Sequence, residues 1–223
     1  MLVVNKNKYK LFFFIAISLA NIHVESIVLN RSQLQAWFPS IGLSTLNTVQ
    51  CQSRSIKTID SDAFNSLRTY PDFVYLHNNL ITHIRDNAFA NATAIDKLWL
   101  NNNLLTSINE STFNGLTNLI ELYLSSNLLN YIDSYSFTRL TRLQVIHLYN
   151  NKLTSIQPYT FSGLSALIDL DISNNYLTSI DRLVVIGLMN LVNFWVGLNP
   201  AASLQTSFVA QLCANNPKCS VIF

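Results

Sequence analysis

The feature that most restricts the fold of this chain is an asparagine that recurs every 24 residues without slippage. It occupies positions Asn79, Asn103, Asn127, Asn151, Asn175 and Asn199. A fixed period of roughly 20 to 50 residues is the signature of a repeat architecture. A buried side-chain amide can bond backbone groups that stay unpaired where a chain turns out of a strand. We therefore interpret this asparagine as a structural residue of one repeating unit.

Apolar residues recur in a fixed frame around each asparagine. In the unit of Asn127 the frame consists of Leu119, Leu122, Leu124, Leu129, Ile132, Phe137 and Leu140. The alternation of apolar and polar residues at its start indicates a short strand, and the residues after the asparagine, the return segment, lead to the next strand. One unit cannot bury its apolar side alone, so the units must stack. Stacking predicts a parallel sheet backed by a column of four phenylalanines, Phe89, Phe113, Phe137 and Phe161, which Val185 breaks in the sixth unit.

This pattern resembles the leucine-rich repeat, in the 24-residue form typical of extracellular proteins, over about residues 46–199. The resemblance implies the α/β solenoid class: a right-handed leucine-rich-repeat horseshoe with a concave parallel β-sheet and an irregular or short-helical convex side. About seven units fit in this range, and the first and last are atypical. We expect residues 21–45 to form an N-terminal flank or cap and residues 200–223 to form a C-terminal cap.

The first unit departs from the frame. Arg54 stands where the asparagine is expected, and the step to the next unit is 25 residues. Such a departure is typical of a cap, because a terminal unit lacks a neighbour on one side. Ahead of this unit, residues 33–38 predict one amphipathic turn or short helix that covers the first layer.

The N-terminus has the pattern of a signal peptide over residues 1–20. Three lysines precede the apolar run 11–19, and a small residue follows at Ala20. The alternative is a membrane anchor, but the run is shorter than the roughly 20 residues that span a bilayer. Removing residues 1–20 changes the formal charge from +2 to −1. We expect a secreted mature chain without a membrane span and without a basic surface that could follow a nucleic-acid backbone.

The chain has three cysteines. Cys213 and Cys219 lie close together in the C-terminal segment, which in a secreted protein predicts a disulfide; two free thiols are the alternative. Cys51 occupies an inward position of the first unit, on the order of 30 Å from the other two at about 4.8 Å per strand. No disulfide spans that distance. We expect a buried thiol at Cys51, with pairing to another molecule as the alternative.

Three Asn-x-Ser/Thr sequons predict N-glycosylation at Asn30, Asn91 and Asn109. The alternative for each is a triplet that arose by chance and stays bare. Asn91 and Asn109 fall in return segments, outside the expected concave sheet. Glycans at these two positions would shield the back of the solenoid and leave the front open.

The residues between the inward strand positions are expected to point outward from the concave sheet and to align in lanes across the units. The central lane consists of Tyr75, Trp99, Tyr123, His147, Asp171 and Trp195, and His77 and Tyr149 lie in the next lane. One interpretation is sheet propensity, since cross-strand aromatic pairs stabilise a sheet. The other is a contact surface, because Tyr and Trp supply large rigid contact areas. We expect the four Tyr and Trp residues of the central lane to carry most of the binding energy.

Chemistry is not expected on this surface. His147 and Asp171 form the one pair that suggests acid–base work, and no serine or cysteine nucleophile accompanies them. No spacing of His, Cys, Asp or Glu indicates a metal shell, and no motif indicates a cofactor.

Two functional classes remain. One is a secreted recognition module that binds an extracellular protein or glycan on its concave face, in immune or cell-surface and matrix recognition. The alternative is a matrix or scaffold protein that acts by self-assembly. Recognition predicts a monomer, whereas assembly predicts self-association.

Overall fold

The computed structural model describes residues 27–37, 48–61, 63–65, 71–200 and 216–223. Its largest element is an eight-stranded sheet whose pairings are all parallel. Numbered along the chain, the strands are β2 Thr48–Gln50, β4 Phe73–Tyr75, β6 Lys97–Trp99, β8 Glu121–Tyr123, β10 Val145–His147, β11 Asp169–Asp171, β12 Asn193–Trp195 and β13 Ser220–Ile222. The predicted concave parallel sheet of a leucine-rich-repeat solenoid is confirmed.

The repeat length sets the register of this sheet. Leu98 lies opposite Leu122, and Leu122 lies opposite Ile146, each one period further along the chain. In the eight-stranded sheet, each of the seven strands from β2 to β12 has a buried middle residue and two more exposed neighbours. Because strand side chains alternate between faces, one register places the whole apolar set in the core and the residues between them on the concave face.

The return segments contain more strand than the sequence indicated. We expected an irregular or short-helical convex side, and turns do predominate, with one 3-10 helix at Arg182–Val184. Short parallel strands also occur there: β3 Ile56–Ile59 and β5 His83–Ile84 form one sheet with β1 Ile27–Leu29 of the N-terminal flank, and β7 Ser107–Ile108 pairs with β9 Tyr131–Ile132. These strands are two to four residues long, too short to show a recognisable alternation in sequence.

The core behind the concave sheet contains a column of stacked phenylalanines. Phe64 joins the four predicted rings, and successive ring centroids lie 5.1, 6.5, 5.9 and 5.7 Å apart. All five side chains are buried. The run of rings ends at Phe161, and Val185 of the sixth unit is partly buried and packs against the same core. Each ring therefore fills the gap between two units, which a single unit could not do.

The six repeated asparagines are buried and bonded to backbone, which confirms their structural role. Asn127 is representative: its Nδ2 donates to the carbonyls of Leu124 (3.0 Å) and Leu100 (3.0 Å). Its Oδ1 accepts a hydrogen bond from the backbone N–H of Leu105 at 3.1 Å. Each amide thus connects its own turn to backbone groups of the preceding unit.

Ahead of the first repeat unit and after β1, the helix α1 spans Arg31–Trp37, where the sequence predicted an amphipathic turn over 33–38. Oδ1 of Asn30 accepts a hydrogen bond from N–H of Gln33 (2.8 Å), which caps the helix, and Leu34 is fully buried. The guanidinium of Arg54 lies 4.4 Å from the ring centroid of Trp37. Arg54 thus takes the position of the repeated asparagine in the first unit, and its side chain packs against Trp37 of α1. The residues assigned to a signal peptide lie outside the described residues.

At the C-terminal end, β13 adds an eighth strand that the sequence did not indicate. Gly197 permits its approach, since a Cβ at that position would lie 2.4 Å from the carbonyl carbon of Phe223. Cys219 is disulfide-bonded, and Cys213 lies outside the described residues. Cys51 is a free, buried thiol, and burial raises its pKa to about 12. No helix of the described part is long and apolar enough to cross a membrane.

Candidate ligand-binding face

The structure brings the predicted central lane together in one register across six strands. Tyr75 pairs with Trp99, Trp99 with Tyr123, and Tyr123 with His147. The lane continues through Asp171 and Trp195. On one side it is flanked by the lane of Phe73, Lys97, Glu121, Val145, Asp169 and Asn193. The lane on the other side contains His77, Asn101, Ser125, Tyr149, Ser173 and Gly197.

The rings of Tyr75, Trp99 and Tyr123 form a continuous aromatic stack. The centroids of Tyr75 and Trp99 lie 4.3 Å apart, and those of Trp99 and Tyr123 lie 5.4 Å apart at 12° between planes. His147 meets the stack edge-on, 5.2 Å from Tyr123. Stacking leaves the three rings half-buried. Trp195 alone of the four Tyr and Trp residues in this lane is exposed, at 38%.

Glu121 holds the edge of the aromatic stack in place. Its Oε1 lies 2.6 Å from Nζ of Lys97, and its Oε2 accepts a hydrogen bond from the Tyr123 hydroxyl at 2.7 Å. Burial, followed by the bond to the Glu121 carboxylate, raises the pKa of Tyr123 well above its usual range. The phenol therefore stays protonated as a donor, and Lys97 is already paired within the surface.

His147 does not pair with Asp171, as its place in the lane had suggested. Its Nε2 lies 3.5 Å from Oδ1 of Asp169, diagonally across the sheet. Oδ1 of Asp171 instead accepts hydrogen bonds from N–H (2.9 Å) and Oγ (2.6 Å) of Ser173 on its own strand. The hydrogen bonds from Ser173 to Asp171 are favoured over a contact between Asp171 and His147, because Ser173 lies only two residues along the same strand. The one pair that suggested acid–base work is therefore not formed.

His77 and Tyr149 flank the central lane at different depths. His77 packs edge-on against Tyr75, with centroids 5.9 Å apart, and burial lowers its pKa, which favours the neutral imidazole. Tyr149 is 38% exposed and lies 6.2 Å from His147, with tilted rings. Both side chains extend the aromatic surface beyond the central lane.

The sequons lie away from these lanes. Asn91 and Asn109 are exposed in return segments, where Nδ2 of Asn91 donates to Asn65 (3.3 Å) and Oδ1 of Asn109 accepts from N–H of Ser111 (2.8 Å). Asn30 is half-buried at the start of α1. Within the described ranges, no group of three or more His, Cys, Asp or Glu residues is placed to hold a metal ion.

Several solved structures share this fold. The Toll–Spatzle complex of Drosophila aligns with a TM-score of 0.63 and 26% identity, over 70% of this chain and 22% of that chain. The TLR13–ssRNA13 complex aligns with a TM-score of 0.62 and 26% identity, over 78% of this chain and 27% of the other. A leucine-rich-repeat protein of Leptospira interrogans aligns with a TM-score of 0.57 and 23% identity, over 75% of this chain and 43% of that chain. The chain spans less than half the length of each of these proteins.

Sequence comparison points to the same architecture. No curated protein matches the chain. The protein family described as "BspA type leucine rich repeat region" matches the chain in six copies, over residues 14–106, 42–167 and 82–199. These matches cover most of the sequence and coincide with the 24-residue period of the asparagine ladder. The chain belongs to the BspA-type leucine-rich-repeat family.

Proposed function

We propose that the chain is a secreted recognition module that binds an extracellular protein on its concave face. The observation that carries this proposal is the aromatic stack of Tyr75, Trp99 and Tyr123, which His147 extends across a fourth unit. Tyrosine and tryptophan dominate binding hot spots because they supply large contact areas with a polar tip. A run of such rings across four strands is wide enough to contact several residues of a partner.

The rigidity of the stack supports binding as well as stability. Each ring is held by its neighbours, and Tyr123 is additionally held through Glu121 and Lys97. Side chains that are ordered before binding lose little conformational entropy when a ligand arrives. Cross-strand stacking alone would explain Tyr75, Trp99 and Tyr123, but it does not explain the exposed indole of Trp195 in the same lane.

A protein suits this surface better than a nucleic acid. Among the solved structures above, one holds the protein Spatzle and another an RNA. In the described part of the three lanes the single lysine or arginine is Lys97, and it is already paired with Glu121. Binding to a phosphate backbone needs several unpaired basic groups. A glycan ligand would use the same rings and is distinguished by experiment.

The glycosylation pattern that we expect also favours an open front. N-glycans at Asn91 and Asn109 would project from the return segments, away from the lanes. Enzymatic removal of N-glycans from chain secreted by eukaryotic cells should lower its mass, and Asn91→Gln with Asn109→Gln should remove most of that change. An unglycosylated, unsecreted product would contradict the extracellular part of the proposal.

The function is tested by capture of extracellular proteins on the chain produced from Asn21, with its mass measured by light scattering. We expect a monomer that captures a partner and loses it on Trp99→Ala with Tyr123→Ala, but not on Tyr131→Ala, which removes an exposed ring from a return segment. Because Trp99 stacks on two rings, circular dichroism must show that the double variant is folded at the assay temperature. A concentration-dependent oligomer whose contacts resist these changes would favour self-assembly instead.

A further inference from the structure

The charge on the concave face is unevenly distributed. Among the described residues of the three lanes, Lys97 is the single lysine or arginine, and Glu121, Asp169 and Asp171 are the acids. Lys97 and Glu121 neutralise each other in an ion pair, with Nζ 2.6 Å from Oε1. The acidic residues that no lysine or arginine of the lanes pairs with are therefore on β11, at Asp169 and Asp171, next to the C-terminal side of the aromatic stack.

The environment of Asp171 leaves one carboxylate oxygen available. Oδ1 is fixed by its two hydrogen bonds to Ser173. Oδ2 accepts no hydrogen bond from any described residue, yet it is not among the buried oxygens without a partner, so it reaches solvent. The carboxylate is thus held in one orientation with an acceptor facing outward. Such pre-organisation favours a charge-assisted bond to a cationic donor.

Trp195 lies directly beside this carboxylate. It pairs with Asp171 in the register of β11 and β12, and it is 38% exposed. Trp99 is covered by rings on both sides, whereas no aromatic ring or cation of the described residues stacks on Trp195. An exposed indole face attracts a cation through its ring quadrupole.

Asp169 adds a second negative charge on the same strand. Its Oδ2 accepts a hydrogen bond from Nδ2 of Asn193 at 2.8 Å. Its Oδ1 is buried and makes no hydrogen bond to any described residue, although Nε2 of His147 lies 3.5 Å away. At about 3.3 Å per strand residue, the two carboxylates lie roughly 7 Å apart. Both therefore act on a cation that is placed over Trp195.

We propose that Asp171 and Trp195 form a cation seat for an arginine of the protein ligand, with the guanidinium stacked on the indole and an N–H donating to Oδ2 of Asp171. Arginine is preferred to lysine because its planar group stacks on an aromatic face and donates in the same plane. This inference rests on the proposed function, since it assumes that the ligand lies on the concave face.

The spacing of the face also defines the ligand segment. Trp195, on which the guanidinium stacks, lies three strands from Tyr123 at the near end of the aromatic stack, which at about 4.8 Å per strand is roughly 14 Å. An extended chain that crosses the strands advances about 3.3 Å per residue. The segment should therefore carry an apolar or aromatic side chain about four residues from its arginine, so that one covers the stack while the other occupies the cation seat.

The test uses a random dodecapeptide library displayed on phage and selected against the intact mature chain. We expect enrichment of arginine, about four residues from an aromatic or large apolar residue. Synthetic copies of the recovered peptides should bind Asp171→Asn and Trp195→Ala about tenfold more weakly than the unchanged chain. Asn at position 171 keeps an acceptor for Ser173, so the local fold is retained. Glu110→Gln, the same charge change on an exposed return segment, is the matched control and should bind normally.

A thermodynamic cycle isolates the contact. Replacing the arginine of the peptide by citrulline, which keeps the shape and removes the charge, should weaken binding to the unchanged chain more than binding to Asp171→Asn, in which only the contact with Trp195 remains. No enrichment of arginine, or equal affinity for Asp171→Asn, overturns the cation seat; if these peptides still lose affinity for Trp99→Ala with Tyr123→Ala, the proposed concave site stands. Peptides that bind every concave variant as well as the unchanged chain would overturn both.

Discussion

Replacing Asn127 by alanine tests whether the asparagine ladder stabilises the solenoid. The side chain is 4% exposed and makes three strong contacts with backbone. The N–H of Leu105 has Oδ1 of Asn127 as its acceptor at 3.1 Å. The carbonyls of Leu100 and Leu124 accept from Nδ2, and each also accepts from the asparagine of a neighbouring unit. The variant therefore leaves one donor without a partner and removes one of two donors at each carbonyl.

The expected loss follows from these bonds. A buried N–H without a partner costs about 1–3 kcal/mol, and each shared bond contributes about 0.5–1.5 kcal/mol. We expect Asn127→Ala to lower the free energy of unfolding by about 3 kcal/mol. For a chain of this length that corresponds to a fall in melting temperature of roughly 6–12 °C.

Urea unfolding followed by circular dichroism measures the change. The matched control is Asn130→Ala, which removes the same side chain from an exposed position three residues on, where it makes no hydrogen bond among the described residues. The control should unfold within about 0.5 kcal/mol of the unchanged chain. If Asn127→Ala has the same midpoint and slope as Asn130→Ala, the ladder does not stabilise the fold in this way.

Three further results are expected. Asn79→Ala should destabilise more than Asn127→Ala in the same unfolding assay, because Asn79 is the only donor to the carbonyl of Cys51 within the described part and accepts from two N–H groups; equal losses would contradict this ranking. Gly115→Ala should unfold at lower urea than Gly187→Ala, since both have positive φ but a Cβ at 115 would lie 2.1 Å from a backbone oxygen while none lies within 4 Å at 187. Cys51 should resist alkylation at pH 8 until the chain unfolds, because burial raises its pKa to about 12; rapid labelling of the native chain would show that the thiol is accessible.

The sequence predicted the sheet and its register because both depend on one period. Once Asn103 and Asn127 align, the pairing of Trp99 with Tyr123 follows. Side-chain conformation does not follow from the period, since it depends on competition between neighbours. His147 contacts Asp169 because Asp171 is hydrogen-bonded to Ser173. The order of residues along a lane does not show which of these contacts forms.

The ends of the solenoid were less predictable for a related reason. β1 and β13 are three residues long and lie outside the regular frame, so they lack the repetition that identifies the other strands. The contrast between a covered Trp99 and an open Trp195 was also hidden, because both occupy the same lane position. It arises from what lies on either side: the rings of Tyr75 and Tyr123 for Trp99, and the non-aromatic residues Asp171 and Ile222 for Trp195.

The sharing of carbonyls along the asparagine ladder also limits how this protein can change in length. A carbonyl such as that of Leu124 receives one amide from its own unit and one from the next, so a unit fits wherever both donors arrive in phase. Gain or loss of a whole 24-residue unit preserves every such bond. An insertion of another length between a strand and its asparagine would move one of the two amides away from the carbonyl that they share. The concave face can therefore lengthen or shorten only in steps of about 4.8 Å. In such a molecule the distance between the aromatic stack and the cation seat is a discrete quantity, set by the number of units between them.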